Sequence, residues 1–465
     1  MVSIHPRPSR GRLSAVALAA SASALLIGTS LAAPAAGATS APVQAGLFGS
    51  QDPTYDGVFR QSLALLAYSA AGTTPPPAAV TWLLGQQCAD GGFQSFRAST
   101  SVACTKSDPA SYSGEDTNST GIAAAALRAV GRTAAADRAL AWALGAQNAD
   151  GGFPYYVGGT SDANSTAVVL LGSNAAGRTP DSVQRGGVSA AHFLESLQIG
   201  CAGAATDDDG GFAFQDYGTG LVDSDTASVQ AVIALSGAAL PLAPATVSTD
   251  VPRAACTPAA SATPTGATAP ATAAAVATAT PVQLGAGHLA RVLAAFGGAI
   301  PQFDFNAGTR IPGSVSAGDT AWAALSLAAV GVGRTQLDAA LAVLGTQTAS
   351  AGTTTTTGTA SAATADKPGL LALAALATRA GGGSATTVSA YVARIGATMR
   401  VAPASTSPSP TATPTRTTTR TTTGDSTLSP TGATPLTPVL AGLGALLVLL
   451  GAGAVGATRR RGAHA

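Results

Sequence analysis

The sequence predicts an all-α fold, an α/α toroid in which about six inner helices are ringed by six outer ones. Three observations carry the prediction. A unit of about 60 residues recurs through the middle of the chain. Each strongly written unit ends one helix on an Asp-Gly-Gly turn, and a run rich in Ala, Val and Leu follows the turn.

The turns come first. Trp82 is followed by Gln87 and then by Asp90-Gly91-Gly92-Phe93. Trp142, Gln147 and Asp150-Gly151-Gly152-Phe153 repeat the series, and Phe193, Gln198 and Asp209-Gly210-Gly211-Phe212 give a third copy after an insertion. This is a helix ending in a tight turn whose glycines take the positive φ that other residues resist. The glutamine amide can bond backbone groups left over at neighbouring helix ends, and the phenylalanine folds back over the helix end.

Asp116-Thr117-Asn118-Ser119-Thr120, Asp162-Ala163-Asn164-Ser165-Thr166 and Asp223-Ser224-Asp225-Thr226-Ala227 open the next element, with Asp319-Thr320 as a worn fourth copy. These side chains are predicted to cap helix N-termini, Asp225 standing where Asn118 and Asn164 stand. The runs that follow are apolar almost all round and should be buried, while the helices before the glutamines carry polar faces and should lie outside. The predicted pairs are 56–72 with 77–87, 116–131 with 135–147, 162–176 with 187–198, 223–237 with 283–297, 318–331 with 336–346, and 367–380 with 385–397.

The aromatic, glutamine, Gly-Gly-Phe series resembles the repeat shared by squalene and oxidosqualene cyclases and protein prenyltransferase β-subunits. Phe93, Phe153 and Phe212 stand where that family often has Trp. The resemblance covers most of 50–400 and implies a toroid with an apolar central cavity. Class II terpene cyclases use Asp-x-Asp-Asp, whose middle aspartate donates a proton. Asp223-Ser224-Asp225-Thr226 resembles that motif with one aspartate missing, which makes Asp225 the candidate acid and Asp223 its neighbour. Tyr112, Tyr155, Tyr156, Phe214, Tyr217 and Trp322, near the predicted inner-helix starts, are the candidates to line the cavity mouth. Prenyltransferases hold zinc through Asp, Cys and His. Here His192 and His288 have no cysteine partner at suitable spacing, so neither a metal nor a cofactor is expected. Asp207, Asp208 and Asp209 read as a solvated acidic turn. Cobalamin carriers and other binding proteins use similar toroids, so the fold does not settle the function.

The two ends give an address. Arg7, Arg10 and Arg12, the apolar stretch 13–31 and Ala36-Gly37-Ala38 read as an export signal over 1–38. The apolar run 436–457, followed by Arg459, Arg460 and Arg461, is long enough to span a bilayer and leaves a basic cytoplasmic tail over 458–465. Leu428-Ser429-Pro430-Thr431-Gly432 resembles a sortase sorting signal, with Leu428, Thr431 and Gly432 matching and Ser429 in the proline's place. Residues 402–434, rich in Ser, Thr, Pro and Arg, read as a disordered stalk, and 257–281 and 350–365 as low-complexity insertions. Four cysteines in an exported chain suggest two disulfides, Cys88–Cys104 and Cys201–Cys256 being the sequence-local pairing of three possible. A formal net charge of +1 supplies no field for nucleic acid.

Two functions follow from the sequence. One is a surface-anchored, non-catalytic module that binds a hydrophobic or amphipathic small molecule, or a partner protein. The other is a divergent terpene cyclase with Asp225 as general acid. Membrane and sortase are the expected partners in the anchor region.

Overall fold

The structure, a computed structural model, describes residues 44–201, 207–253, 279–304, 309–349 and 366–401. The export signal, most of the 257–281 insertion, the 350–365 loop, the stalk, the sorting signal, the 436–457 run and Cys256 lie outside the described residues. Among the described residues the fold is mainly helical, with twelve α-helices and three two-stranded hairpins. The helices are α1 Gly57–Ala70, α2 Pro77–Gln86, α3 Thr117–Ala129, α4 Thr133–Gly145, α5 Ala163–Ala175, α6 Ala190–Ser196, α7 Asp225–Leu235, α8 Pro281–Ala295, α9 Ala317–Val330, α10 Arg334–Gln347, α11 Pro368–Ala380 and α12 Ala385–Ala397. The hairpins are β1 Phe153–Pro154 with β2 Ser161–Asp162, β3 Gln184–Arg185 with β4 Val188–Ser189, and β5 Phe303–Asp304 with β6 Thr309–Arg310. None of these helices is long and apolar enough to cross a membrane.

Odd- and even-numbered helices differ as their sequences require. In α3 every residue from Ser119 to Leu127 is buried, as is every residue from Ser165 to Asn174 in α5. Small Ala, Gly, Ser and Thr side chains make such all-round burial possible. In α12 only a stripe is buried, Val388, Tyr391, Val392 and Ile395, the pattern of a helix with one wet face. Each odd-numbered helix packs on the next, α1 on α3, α3 on α5, α5 on α7, α7 on α9 and α9 on α11, and α11 packs back on α1. α2 packs on α1, and the other even-numbered helices bridge neighbours in that order, as α8 does between α7 and α9. Backbone pairing closes the circuit: the Arg400 N–H donates to the Leu47 carbonyl at 2.8 Å, and the Gly46 N–H to the Arg400 carbonyl at 2.9 Å.

The Gly-Gly-Phe turns are the joints. Gly91, Gly151 and Gly210 have φ of +107°, +86° and +88°. A Cβ on Gly151 would also come within 2.5 Å of the Ser189 carbonyl oxygen, so the turn needs glycine twice over. Phe93, Phe153 and Phe212 are fully buried. Their N–H groups donate to Thr120 Oγ1, Thr166 Oγ1 and Ser228 Oγ at 2.9, 2.9 and 2.8 Å. Each glutamine amide donates twice, to its own turn and to the next outer element: Gln147 Nε2 reaches the Gly151 carbonyl at 2.8 Å and the Val183 carbonyl at 3.2 Å. Gln87 and Gln198 do the same with Gly91 and Ala135, and with Gly210 and Pro281.

The structure adds two copies of the joint that the sequence reading missed. The Phe48 N–H donates to Gln61 Oε1 at 3.0 Å behind Gly46, and the Ile300 N–H to Thr320 Oγ1 at 2.9 Å behind Gly298. It also shortens one helix. The segment expected to be helical over 187–198 is α6, Ala190–Ser196, because 184–189 forms the β3–β4 hairpin and Ser189 caps the helix by accepting from the His192 N–H. Cys88 and Cys104 form a disulfide. Cys201 is disulfide-bonded as well.

Candidate functional site

The starts of α3, α5 and α7 share one plan. Asp116 accepts from the Ser119 N–H at 2.6 Å and Asp162 from the Ser165 N–H at 2.7 Å, so both are caps. Four residues on, Thr120 and Thr166 bind the buried phenylalanine N–H. In the third unit that hydroxyl belongs to Ser228, so the cap position is Ser224, whose Oγ accepts from the Ala227 N–H at 3.3 Å. The register expected from the sequence is therefore off by one residue. Asp225 does not stand with Asn118 and Asn164, because the hydroxyl that grips the phenylalanine, and not the aspartate, fixes the alignment. Asp319 is likewise no helix cap: Ser316 holds that position, and Asp319 accepts from Ser316 Oγ at 2.7 Å and Thr226 Oγ1 at 3.3 Å.

Released from capping, Asp223 and Asp225 build an ionic cluster. Arg310, on β6, donates to the Asp225 carboxylate through Nε at 2.8 Å and Nη2 at 2.9 Å. The same Nη2 bonds Asp223 Oδ2, and Nη1 lies 3.6 Å from Asp208 Oδ1. On its other side Asp223 Oδ2 is 3.4 Å from Nε2 of His288, a ring on α8 with no exposed surface. His288 Nδ1 lies 3.0 Å from the Asp207 carbonyl oxygen, so both ring nitrogens face acceptors. Gly211 makes room for the pair, since a Cβ there would collide with the Asp223 carboxylate and His288 Nε2.

Burial pushes the Asp223 carboxyl up, but His288, then Arg310 and Ser228, outweigh it and hold the group below the usual carboxylate value. Burial works against the Arg310 charge, and Asp225, Asp223 and Asp208 more than offset it, so the guanidinium is held charged. A general acid must carry a proton that it can give up. Both Asp225 carboxyl oxygens are instead taken up as acceptors of guanidinium N–H bonds. Two carboxylates and an imidazole lie here within 4.8 Å of one another, a donor set that could take a divalent cation in the place of the guanidinium.

His288 had a signal that the sequence reading passed over. A Cβ on Gly92 would touch the Trp142 ring at 2.7 Å, and one on Gly152 the Phe193 ring at 2.8 Å. His288 covers Gly211 in the same way, so over the third turn it fills the slot that Trp142 and Phe193 fill over the first two. Arg310 belongs to no motif in the sequence.

The six aromatic candidates separate into two groups. Trp322 is 4% exposed and sits in the core, because it lies on the interior of α9. Tyr112, Tyr155, Phe214 and Tyr217 are 56, 36, 37 and 62% exposed, large values for such rings. The Tyr155 carbonyl accepts from the Thr117 N–H and the Phe214 carbonyl from the Ala163 N–H, which fixes them at the starts of α3 and α5. Tyr156 lies edge-on to both Tyr155 and Tyr112, at ring centroid distances of 4.7 and 6.4 Å. Its hydroxyl donates to the Tyr112 carbonyl at 2.9 Å, and Tyr112 holds a left-handed φ of 48°. Burial, then Asp116, pushes the Tyr156 phenol up to about 12. A cavity of about 430 Å³ lies nearby between α6 and the loops at Asp150, Ser161 and Asp216, and another of about 380 Å³ between α4 and the end of α5. Neither is lined by the middle of an odd-numbered helix.

The sequence matches no family model and no curated relative. A solved structure of a protein from Actinoplanes aligns with 66% of this chain and 77% of its own at 17% identity, with a TM-score of 0.39, too low to carry an argument.

Proposed function

We propose that this chain is an exported, surface-tethered α/α toroid that binds and does not catalyse. The observation that carries this reading is the two-pronged clamp of Arg310 on Asp225, which commits the one candidate acid to an ion pair. The circuit of odd-numbered helices, each packed on the next and the last on the first, supports the toroid. The address rests on the composition of the two chain ends. The binding face is the aromatic surface at the starts of α3 and α5, formed by Tyr112, Tyr155, Tyr156, Phe214 and Tyr217. Rings with phenolic edges suit a hydrophobic or amphipathic ligand, or a partner protein, since they offer apolar area and a polar rim together.

Native mass spectrometry of gently purified protein tests the reading. A mass shift with a member of a lipid, terpenoid or cobalamin panel, weakened in Tyr155→Ala and Tyr217→Ala, is the expected result for a small ligand. Protein that stays empty throughout sinks ligand binding. Cyclised product from squalene or geranylgeranyl diphosphate that disappears in Asp225→Asn would overturn the non-catalytic assignment in favour of a terpene cyclase.

A further inference from the structure

The first two Gly-Gly-Phe joints are built on one plan with different chemistry. The Cys88 N–H donates to the Gly92 carbonyl and the Asn148 N–H to the Gly152 carbonyl, both at 2.9 Å, so Cys88 and Asn148 are equivalent. Glu115 and Ser161 each precede the helix cap, Asp116 or Asp162, and are equivalent too. In the second joint the fastening is non-covalent. Asn148 Nδ2 donates to the Gly159 carbonyl at 3.0 Å and to Ser161 Oγ at 2.9 Å, and Ser161 Oγ donates to Asp150 at 2.9 Å. In the first joint the same places hold a disulfide, Cys88–Cys104, and a carboxyl group, Glu115.

Glu115 is 1% exposed. A carboxyl oxygen lies within 4.8 Å of both sulfurs. Its Oε1 is buried without a hydrogen bond, with Lys106 Nζ 3.5 Å away. At the equivalent place in the second joint Ser161 bonds Asp150, and Glu115 is likewise hydrogen-bonded to Asp90, so what the first joint adds is a carboxyl group beside the two sulfurs. Cys88 is buried at 5% exposure, while Cys104 is partly exposed on the loop that follows.

We propose that Cys88–Cys104 is a thiol-exchange site for an extracellular dithiol, with Glu115 as the acid that protonates the departing Cys88. The dithiol's thiolate attacks Sγ of Cys104, the more exposed residue of the pair. The Cys88–Cys104 bond breaks, and Cys88 leaves with the electron pair as a thiolate. Cys88 Sγ takes the Glu115 proton once rotation about its Cα–Cβ bond closes the remaining distance. The dithiol's second thiolate then attacks the mixed disulfide and releases Cys104, which is protonated from solvent. The dithiol ends as a disulfide, and two electrons have passed to the protein. Burial, then the Asp90 carboxylate, raises Glu115 to about 7 against the pull of Lys106, so the group carries a proton to give at neutral pH. Asp90 and Lys106 are the charged groups that face it.

The test follows reduction of Cys88–Cys104 in the intact protein by dithiothreitol from pH 6 to 9, with alkylation and peptide mass spectrometry. Rates are divided by the thiolate fraction of the reagent. The wild-type value is expected to fall about tenfold or more as pH rises through 7, in keeping with the usual worth of a placed acid. Glu115→Gln should flatten the profile, and profiles that coincide overturn the proposal. Should Glu115→Gln fail to fold, Lys106→Met on the exposed loop provides the second arm. Removing the ammonium should move the inflection to higher pH, and an unmoved inflection counts against Glu115. A monothiol adduct trapped on Cys104 supports the order of attack, and one on Cys88 overturns it. None of this depends on what the aromatic face binds.

Discussion

Arg310 Nε and Nη2 grip the Asp225 carboxylate at 2.8 and 2.9 Å, and the same Nη2 also bonds Asp223. With both aspartate side chains 7% exposed or less, the guanidinium is their principal counter-charge. Replacing it by Met leaves two buried carboxylates against one imidazole. Arg310→Met should therefore lower the unfolding free energy at pH 7 by about 3–5 kcal/mol, the usual cost of orphaning one side of a buried pair. Adding Asp225→Asn should recover a substantial part of it. Urea denaturation of the two variants reads both numbers, and a loss below about 1 kcal/mol for the single variant would show the cluster to be solvated.

Gly211 and Gly145 make a paired test of backbone position. A Cβ on Gly211 runs into Asp223 and His288, while one on Gly145, near the end of α4, meets nothing within 4 Å. Gly211→Ala should destabilise by about 1–3 kcal/mol, as overpacking does. Gly145→Ala should stabilise by about 0.5–1 kcal/mol through its better helix propensity. Opposite shifts in thermal midpoint are the expected reading.

Three buried carboxyls set a pH dependence. Burial raises Asp116 to about 7, Asp162 to about 6 and Glu115 to about 7, from ordinary values of 3.8, 3.8 and 4.5. Between those limits the folded chain binds protons that the unfolded chain has released. Their stabilising contribution is thus complete below about pH 4 and is lost as pH rises through 6 to 7. Asp223 is held low and works the other way, its contribution disappearing only in acid below the ordinary 3.8. The thermal midpoint should consequently be higher at pH 5 than at pH 8. Asp116→Asn, which still caps α3, should shrink the difference, and an unchanged difference would remove Asp116 as a cause.

Thr166→Val keeps the shape of the side chain and removes the acceptor for the Phe153 N–H. A buried donor without a partner costs about 1–3 kcal/mol. Thr166→Ser, with the hydroxyl that Ser228 already uses in the third joint, should cost less than Thr166→Val. A loss in Thr166→Ser as large as that in Thr166→Val would mean that packing of the methyl group matters as much as the bond.

The sequence displayed what chemistry makes hard to substitute. Gly91, Gly151 and Gly210 need positive φ and have neighbours pressed against them, so three joints were legible. The alternation of all-round and one-sided apolar runs gave each helix pair to within a few residues, apart from the shortened α6. The joints at 46–48 and 298–300 were not legible, because Gln61 can serve as an acceptor as Thr120 does, and Ile300 can fill a phenylalanine's place. The site suffered most. A row of Asp, Ser and Thr reads equally well one residue to either side, and only the bond from Ser228 to the Phe212 N–H shows which aspartate is free to pair. His288 and Arg310 reach the cluster from α8 and β6, contacts of long sequence separation that no local pattern records.

The pairing of 46–49 with 398–400 gives the fold a mechanical character. A pull on the chain beyond residue 401 reaches the Leu47–Arg400 and Gly46–Arg400 bonds first, ahead of any helix in the circuit. Arg400 adds two side-chain ties there, Nε to the Gly49 carbonyl at 2.6 Å and Nη2 to the Gln51 carbonyl at 2.9 Å. Load is therefore taken up at a short clasp where the first and last elements meet. Opening that clasp would leave α12 held by its packing on α1 and α11 alone.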